Sequence, residues 1–154
     1  MKTYQTNEIK NIVLIGAPGS GKTTLAEAMA FEGKVIDRRG SIETDNTLSD
    51  NTELEHLYKR SIYPTILFTE FMGRKLNIID TPGSDDFCGG LFSAFKVADV
   101  GVMVFNAQNG FEVGSEIQAR YARAQEKPII ALVNQLDAEK ASWETTMAVS
   151  YTHL

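Results

Sequence analysis

The sequence predicts a single α/β domain built on an open, mostly parallel sheet with one antiparallel edge strand and helices on both faces. Three observations carry this expectation. Short, nearly all-apolar runs at 11–15 (NIVLI), 100–105 (VGVMVF) and 128–133 (PIIALV) have the composition of strands buried on both faces. Stretches that read as helices lie between them. Two strand-like runs at 65–71 and 75–80 are separated by Met72-Gly73-Arg74, a hairpin signal that supplies the antiparallel strand. A length of 154 residues fits about one domain.

The elements follow in order. The apolar run 24–31 predicts a helix with Gly33 as its stop. Residues 34–51 are polar and read as a loop. Asp50 with Glu53 fits a capping box that would open a short helix over 53–60. Residues 92–98 and 113–125 read as helices, with a turn at Asn109-Gly110. Composition excludes several classes. No apolar run reaches the ~18–20 residues of a membrane span, and residues 1–10 are polar, without a signal-peptide core. A lone cysteine, Cys88, forbids an intrachain disulfide and suits a reducing cytoplasm. The net charge of −5 argues against bulk electrostatic attraction to nucleic acid.

Three motifs carry the chemistry, each at the carboxyl end of a predicted strand, where ligands bind in such sheets. Gly16-Ala17-Pro18-Gly19-Ser20-Gly21-Lys22-Thr23 matches the phosphate-loop pattern G-x-x-x-x-G-K-[ST], placed between a strand and a helix as the pattern requires. Its backbone N–H groups and the helix N-terminus would cradle phosphate. Lys22 would reach the outer phosphates and the Thr23 hydroxyl would ligate Mg²⁺. Thr24 continues the same turn. This motif does not by itself choose between ATP and GTP. Asp80-Thr81-Pro82-Gly83 ends the second hairpin strand; its Asp would hold Mg²⁺ through water and its Gly83 N–H would meet a γ-phosphate. Alone, it also fits a turn. Asn134-Gln135-Leu136-Asp137 ends the last strand. The Asp137 carboxylate can accept two N–H bonds from the guanine edge, with Asn134 bracing the pocket; alone, this motif also fits a helix cap.

Together these residues resemble the GTP-binding domain of the translational GTPase superfamily, most closely its elongation factor G branch. The resemblance runs over about residues 9–147. It is carried by NIVLIGAPGSGKTT at 11–24, LNIIDTPGSDDF at 76–87, FSAFKVADVGVMVFNAQNGFEVGSE at 92–116 and PIIALVNQLD at 128–137. It implies the P-loop NTPase fold, GTP/GDP and Mg²⁺ as ligands, and a cytoplasmic protein working on the ribosome in translocation or disassembly. It carries nucleotide contact to residues Gly16 through Thr24, Asp80 through Gly83, Asn134, Gln135 and Asp137. It also implies that residues 1–147 form the N-terminal portion of a GTP-binding domain, incomplete at its C-terminal side and followed elsewhere by further domains. The tail 148–154 does not resemble the family's continuation and reads as a non-native or frayed end.

The departures are informative. Where the family reads D-T-P-G-H, this chain has Ser84, which lacks the imidazole that positions the attacking water. Aligned with the family's R-G-I-T, residues 60–63 read Arg-Ser-Ile-Tyr, so Tyr63 replaces a magnesium-binding threonine, and Thr65 could serve only after a two-residue register shift. Gln135 replaces the lysine of N-K-x-D, whose stem covers the base and whose amine braces the phosphate loop. The expectation is therefore a GTP-binding protein with slow or absent hydrolysis. The alternatives are a non-hydrolysing ribosome-docking module, or a ribosomal protection or release factor of the same superfamily.

Overall fold

A computed structural model describes residues 2–153; Met1 and Leu154, the outermost positions of the expected domain and tail, lie outside the described residues. The strands are β1 (Ile9–Ile15), β2 (Thr65–Phe71), β3 (Arg74–Asp80), β4 (Val100–Asn106) and β5 (Ile129–Asn134). The helices are α1 (Lys22–Glu32), α2 (Glu53–Tyr58), α3 (Gly89–Val97), α4 (Val113–Ala124) and α5 (Trp143–His153). The sheet order is β2-β3-β1-β4-β5, with β2 antiparallel to β3 and the other pairings parallel. The predicted architecture is the one observed.

The run at 128–133, expected to be buried on both faces, instead forms the edge strand β5, none of whose residues is buried and whose Ile130 and Ala131 are exposed. The run of β1 is continuous because that strand is covered on both faces. Val13 and Ile15 point to one side, where they join Leu91, Phe95, Met103, Phe105 and Ala119 under α3 and α4. Ile12 and Leu14 point to the other, against Ala26 and Ile78 under α1. A strand with one solvated face would alternate instead. The hairpin turn is two residues long. Met72 and Gly73 both have positive φ, 48° and 78°, the mirror-image turn whose twist matches paired strands.

Parallel pairing aligns the strand ends. Leu14 of β1 lies opposite Asp80 of β3, and Asn106 of β4 opposite Asn134 of β5. The three motifs therefore meet on one edge of the sheet.

Two local expectations are corrected. The capping box belongs to Thr52 and Glu55, not to Asp50 and Glu53. The Thr52 hydroxyl accepts the Glu55 N–H at 3.3 Å, and the Glu55 carboxylate accepts the Thr52 N–H at 3.1 Å. Both pairs have the right spacing. Glu55 is selected because its carboxylate is buried and also accepts the N–H groups of Ile62 and Tyr63, whereas Glu53 faces solvent. The second is helix α5, which runs through residues 148–153 and was not anticipated as a helix. Its buried positions are Thr146 and Ser150, four apart but polar, so no apolar stripe marks it. The Ser142 hydroxyl accepts the N–H of Thr145 at its start.

Candidate functional site

The phosphate loop occupies residues 16–21, between the end of β1 and the start of α1. Gly21 caps α1 in a left-handed conformation, φ +94°, and a Cβ there would collide with the Asn134 side-chain amide. Asn134 Nδ2 uses that closeness to donate to the Ser20 carbonyl at 2.9 Å. Gln135 Nε2 donates to the Gly19 carbonyl at 2.9 Å. Two side chains from the end of β5 thus hold the loop from behind. Gln135 keeps the bracing contact expected of a lysine at its position, without the charge.

Lys22 is nearly buried and donates to the carbonyls of Gly16 and Ala17, both at 2.9 Å. Burial pushes its ammonium down to about 8, against the opposing pull of Asp80, Asp50 and Glu112. A phosphate in the loop would restore a full counter-charge. Gly83 closes the front: a Cβ at this position would come within 2.6 Å of Lys22 Nζ and 2.7 Å of Pro18 N, so only glycine lets the β3 end lie on the loop.

At the base of the loop the Thr23 hydroxyl donates to Asp80 Oδ2 at 2.7 Å and lies 3.2 Å from the Ser61 hydroxyl. Asp80 Oδ1 is buried without a hydrogen-bond partner. Burial pushes the Asp80 carboxyl up to about 6, although the Thr23 hydroxyl and Lys22 favour its charged form. Hard oxygen donors with an unsatisfied carboxylate oxygen fit Mg²⁺, which binds through one or two carboxylates and shares its remaining ligands with phosphate and water. Among the described residues, no group of three or more His, Cys, Asp or Glu side chains is placed to hold a metal ion.

Around these groups lies a cleft of about 250 Å³. Of the expected site residues, Pro18, Gly19, Gly21, Lys22, Thr23, Thr24, Gly83, Ser84 and Gln135 line it. Gly16 and Ala17 turn their carbonyls to Lys22, and Ser20 is buried in the loop with its hydroxyl unpartnered. The Thr81 hydroxyl donates to the Leu14 carbonyl at 2.6 Å, tying β3 to β1, and Pro82 beside it is buried. Asp137 lies exposed beyond β5, outside the cleft lining. Ser84 reaches only Asp86, at 3.4 Å.

Several contributors were not anticipated. Gln118 of α4 is buried; its Oε1 accepts the Gly16 N–H at 2.5 Å, and its Nε2 donates to the carbonyls of Gly16 at 3.3 Å and Gly83 at 3.4 Å. It joins the phosphate loop to the β3 end. The visible signal was a lone amide between the buried Ser115 and Ala119 of α4. The Ser61 hydroxyl, and neither Tyr63 nor Thr65, stands beside Thr23. Tyr63 is exposed, and the Thr65 hydroxyl donates to the Ser49 carbonyl at 3.0 Å. Glu55 explains this arrangement. Burial raises its carboxyl, but the N–H groups of Ile62, Thr52 and Tyr63 and the Thr52 hydroxyl outweigh burial and hold it below the ordinary range. Segment 60–63 is thereby pinned against α2.

A phosphate loop opening a helix after a central strand, with an acidic strand end beside its threonine, defines a P-loop nucleotide-binding domain. The chain belongs to the family of the elongation factor Tu GTP-binding domain, whose model matches residues 7–154. It is 30% identical over 142 residues to an elongation factor G-like protein of Mycobacterium tuberculosis, covering 92% of this chain and 20% of that protein. It is 32% identical over 148 residues to elongation factor G of Dehalococcoides mccartyi, covering 96% and 21%. It is 29% identical over 139 residues to peptide chain release factor 3 of Lactobacillus delbrueckii subsp. bulgaricus, covering 88% and 27%. A crystal structure of a Thermus thermophilus protein superposes with a TM-score of 0.90 at 28% identity, over 94% of this chain and 22% of that one. The chain thus spans about a fifth of the length of its elongation factor G relatives.

Proposed function

We propose that the chain binds GTP and GDP with Mg²⁺ as the nucleotide-binding part of an elongation factor G-like protein that works on the ribosome in the cytoplasm. The observation that supports this reading is convergence. Lys22, Thr23 and Gln135 line one cleft, Asp80 of β3 is bonded to the Thr23 hydroxyl at its base, and Asn134 of β5 holds the Ser20 carbonyl behind it. In this reading the phosphates would lie along residues 16–24 and the cation would be held by Thr23 and Asp80, while Asp137, beyond the cleft lining, would receive the guanine edge with Asn134 bracing the pocket. When bound, Mg²⁺ would supply neutralisation of phosphate charge. The chain's own groups orient the phosphates through the loop N–H groups and Lys22.

Hydrolysis is attenuated in this reading. Ser84 occupies the motif position where the family carries its histidine, and its hydroxyl donates to Asp86 at 3.4 Å. It offers the attacking water no imidazole. The same feature favours the second reading, a module that docks on the ribosome in its GTP form without turning over. The relatedness to release factor 3 keeps a release step within the superfamily's range. Single-turnover GTP hydrolysis with ribosomes separates the readings. Slow turnover that rises in Ser84→His supports attenuation by this substitution. No turnover in either form, with GTP-dependent ribosome binding retained, supports docking. Turnover at the rate of an ordinary elongation factor contradicts attenuation.

A further inference from the structure

The segment joining α1 to β2 is held by two buried carboxylates. Glu27 of α1 accepts the N–H groups of Gly40, at 3.0 Å, and Leu48. Glu55 of α2 accepts those of Ile62 at 3.1 Å and Tyr63 at 3.2 Å. Asp50 lies between these anchors. Its N–H donates to the Thr47 hydroxyl at 3.2 Å, its carbonyl accepts from His56 Nε2 at 2.9 Å, and the adjacent Ser49 carbonyl accepts from Thr65 at 3.0 Å. The backbone is fully engaged while the side chain is not. Asp50 is 4% exposed, and neither carboxylate oxygen has a hydrogen-bond partner. It lines the same cleft as Lys22, Thr23 and Ser61. The Lys22 ammonium is committed to two loop carbonyls, and in the nucleotide-bound protein to phosphate. A buried carboxylate on a braced backbone with both oxygens free is a group waiting for a cation.

We propose that Asp50 and Ser61 are oxygen ligands of the divalent cation, alongside Thr23 and Asp80, directly or through one water. Two carboxylates and two hydroxyls then face the ion, with phosphate and water filling the remaining positions of an octahedral shell. Nothing in the local sequence pattern assigns Asp50 this role. It follows from the free oxygens and from the 3.2 Å approach of Ser61 to Thr23. The consequence is that the α1–β2 segment is tied to the cation itself, through residues independent of a third phosphate.

This inference rests on the magnesium-nucleotide reading, and the test keeps the two apart. The whole chain is loaded with fluorescent GDP, and Mn²⁺ affinity is titrated by electron paramagnetic resonance for the wild type, Asp50→Asn and Ser61→Ala. Asp50→Asn is expected to bind GDP in excess Mn²⁺ yet weaken Mn²⁺ binding about tenfold or more, with a smaller loss in Ser61→Ala. Mn²⁺ affinity within about twofold of wild type in Asp50→Asn, with GDP binding intact, overturns this inference alone. Absence of GDP binding by the wild type overturns the nucleotide reading and this inference with it. Should Asp50→Asn fail to fold, ferrous iron with ascorbate and peroxide maps the cation in the wild type. Backbone cuts around residues 49–51 and 60–62 are expected; cuts confined to 22–24 and 80–83 overturn the proposal.

Discussion

Asp80 gives the site a measurable pH signature in the absence of ligand. Its carboxyl is raised from 3.8 to about 6 by burial beside the phosphate loop. The folded state therefore holds the proton more tightly than the unfolded chain. The resulting stabilisation is fully present below the unfolded value and is lost as pH rises through about 6. A rise of that size is worth at most about 3 kcal/mol between pH 4 and pH 7. Asp80→Asn keeps an oxygen for the Thr23 hydroxyl and removes the charge. Lys22 loses a counter-charge in the variant and returns part of the gain. Without nucleotide or cation, Asp80→Asn should therefore be more stable than wild type at pH 7.5 by about 1–2 kcal/mol, with the difference vanishing near pH 4. Urea unfolding in EDTA at four pH values measures this. The difference between the two proteins is the quantity to read, because Glu55 is held low and contributes a slope of the opposite sign in both. A variant less stable than wild type throughout, or a pH-independent difference, would refute the account of Asp80 as a buried charge awaiting a cation.

Three further outcomes are expected. Phe95, fully buried in the cluster under α3, should cost about 3–5 kcal/mol on replacement by alanine, read as a lowered urea midpoint with an unchanged slope. Gln135→Ala removes the hydrogen bond to the Gly19 carbonyl and should weaken GDP binding by about 1 kcal/mol, roughly fivefold, in a fluorescence titration. Glu55→Ala leaves the N–H groups of Ile62 and Tyr63 without their acceptor, and hydrogen exchange should accelerate at those two amides while the β1 amides stay protected.

What could be read from the sequence, and what could not, follows the range of the interactions. Strands β1 and β4 were legible because double burial writes itself locally, as in the unbroken run from Ile12 to Ile15, whereas β5 carries the same apolar composition at the sheet edge with none of its residues buried. The hairpin was legible because Met72-Gly73 encodes its own turn. The phosphate loop was legible for the same reason, since its glycines answer to local backbone geometry. Helix α5 was not, because the side chains it buries are Thr146 and Ser150, which carry no apolar period. The cap of α2 was misplaced by two residues because the choice between Asp50 and Thr52 is made by Ile62 and Tyr63, seven and eight residues beyond Glu55. Gln118 and Ser61 reach the site from 102 and 38 residues away, distances at which no local pattern operates. The role of Ser61 beside Thr23, rather than Thr65, is a product of how α2 pins the segment.

The most direct test of the account is competition at the cleft. The whole chain is mixed with a fluorescent guanosine diphosphate, with and without Mg²⁺, and challenged with unlabelled GTP, GDP and ATP. Magnesium-dependent binding displaced by GTP and GDP and left in place by ATP, and abolished in Lys22→Ala, is the predicted result. Equal displacement by ATP, or binding that survives Lys22→Ala unchanged, would contradict a guanine-nucleotide site built on this phosphate loop.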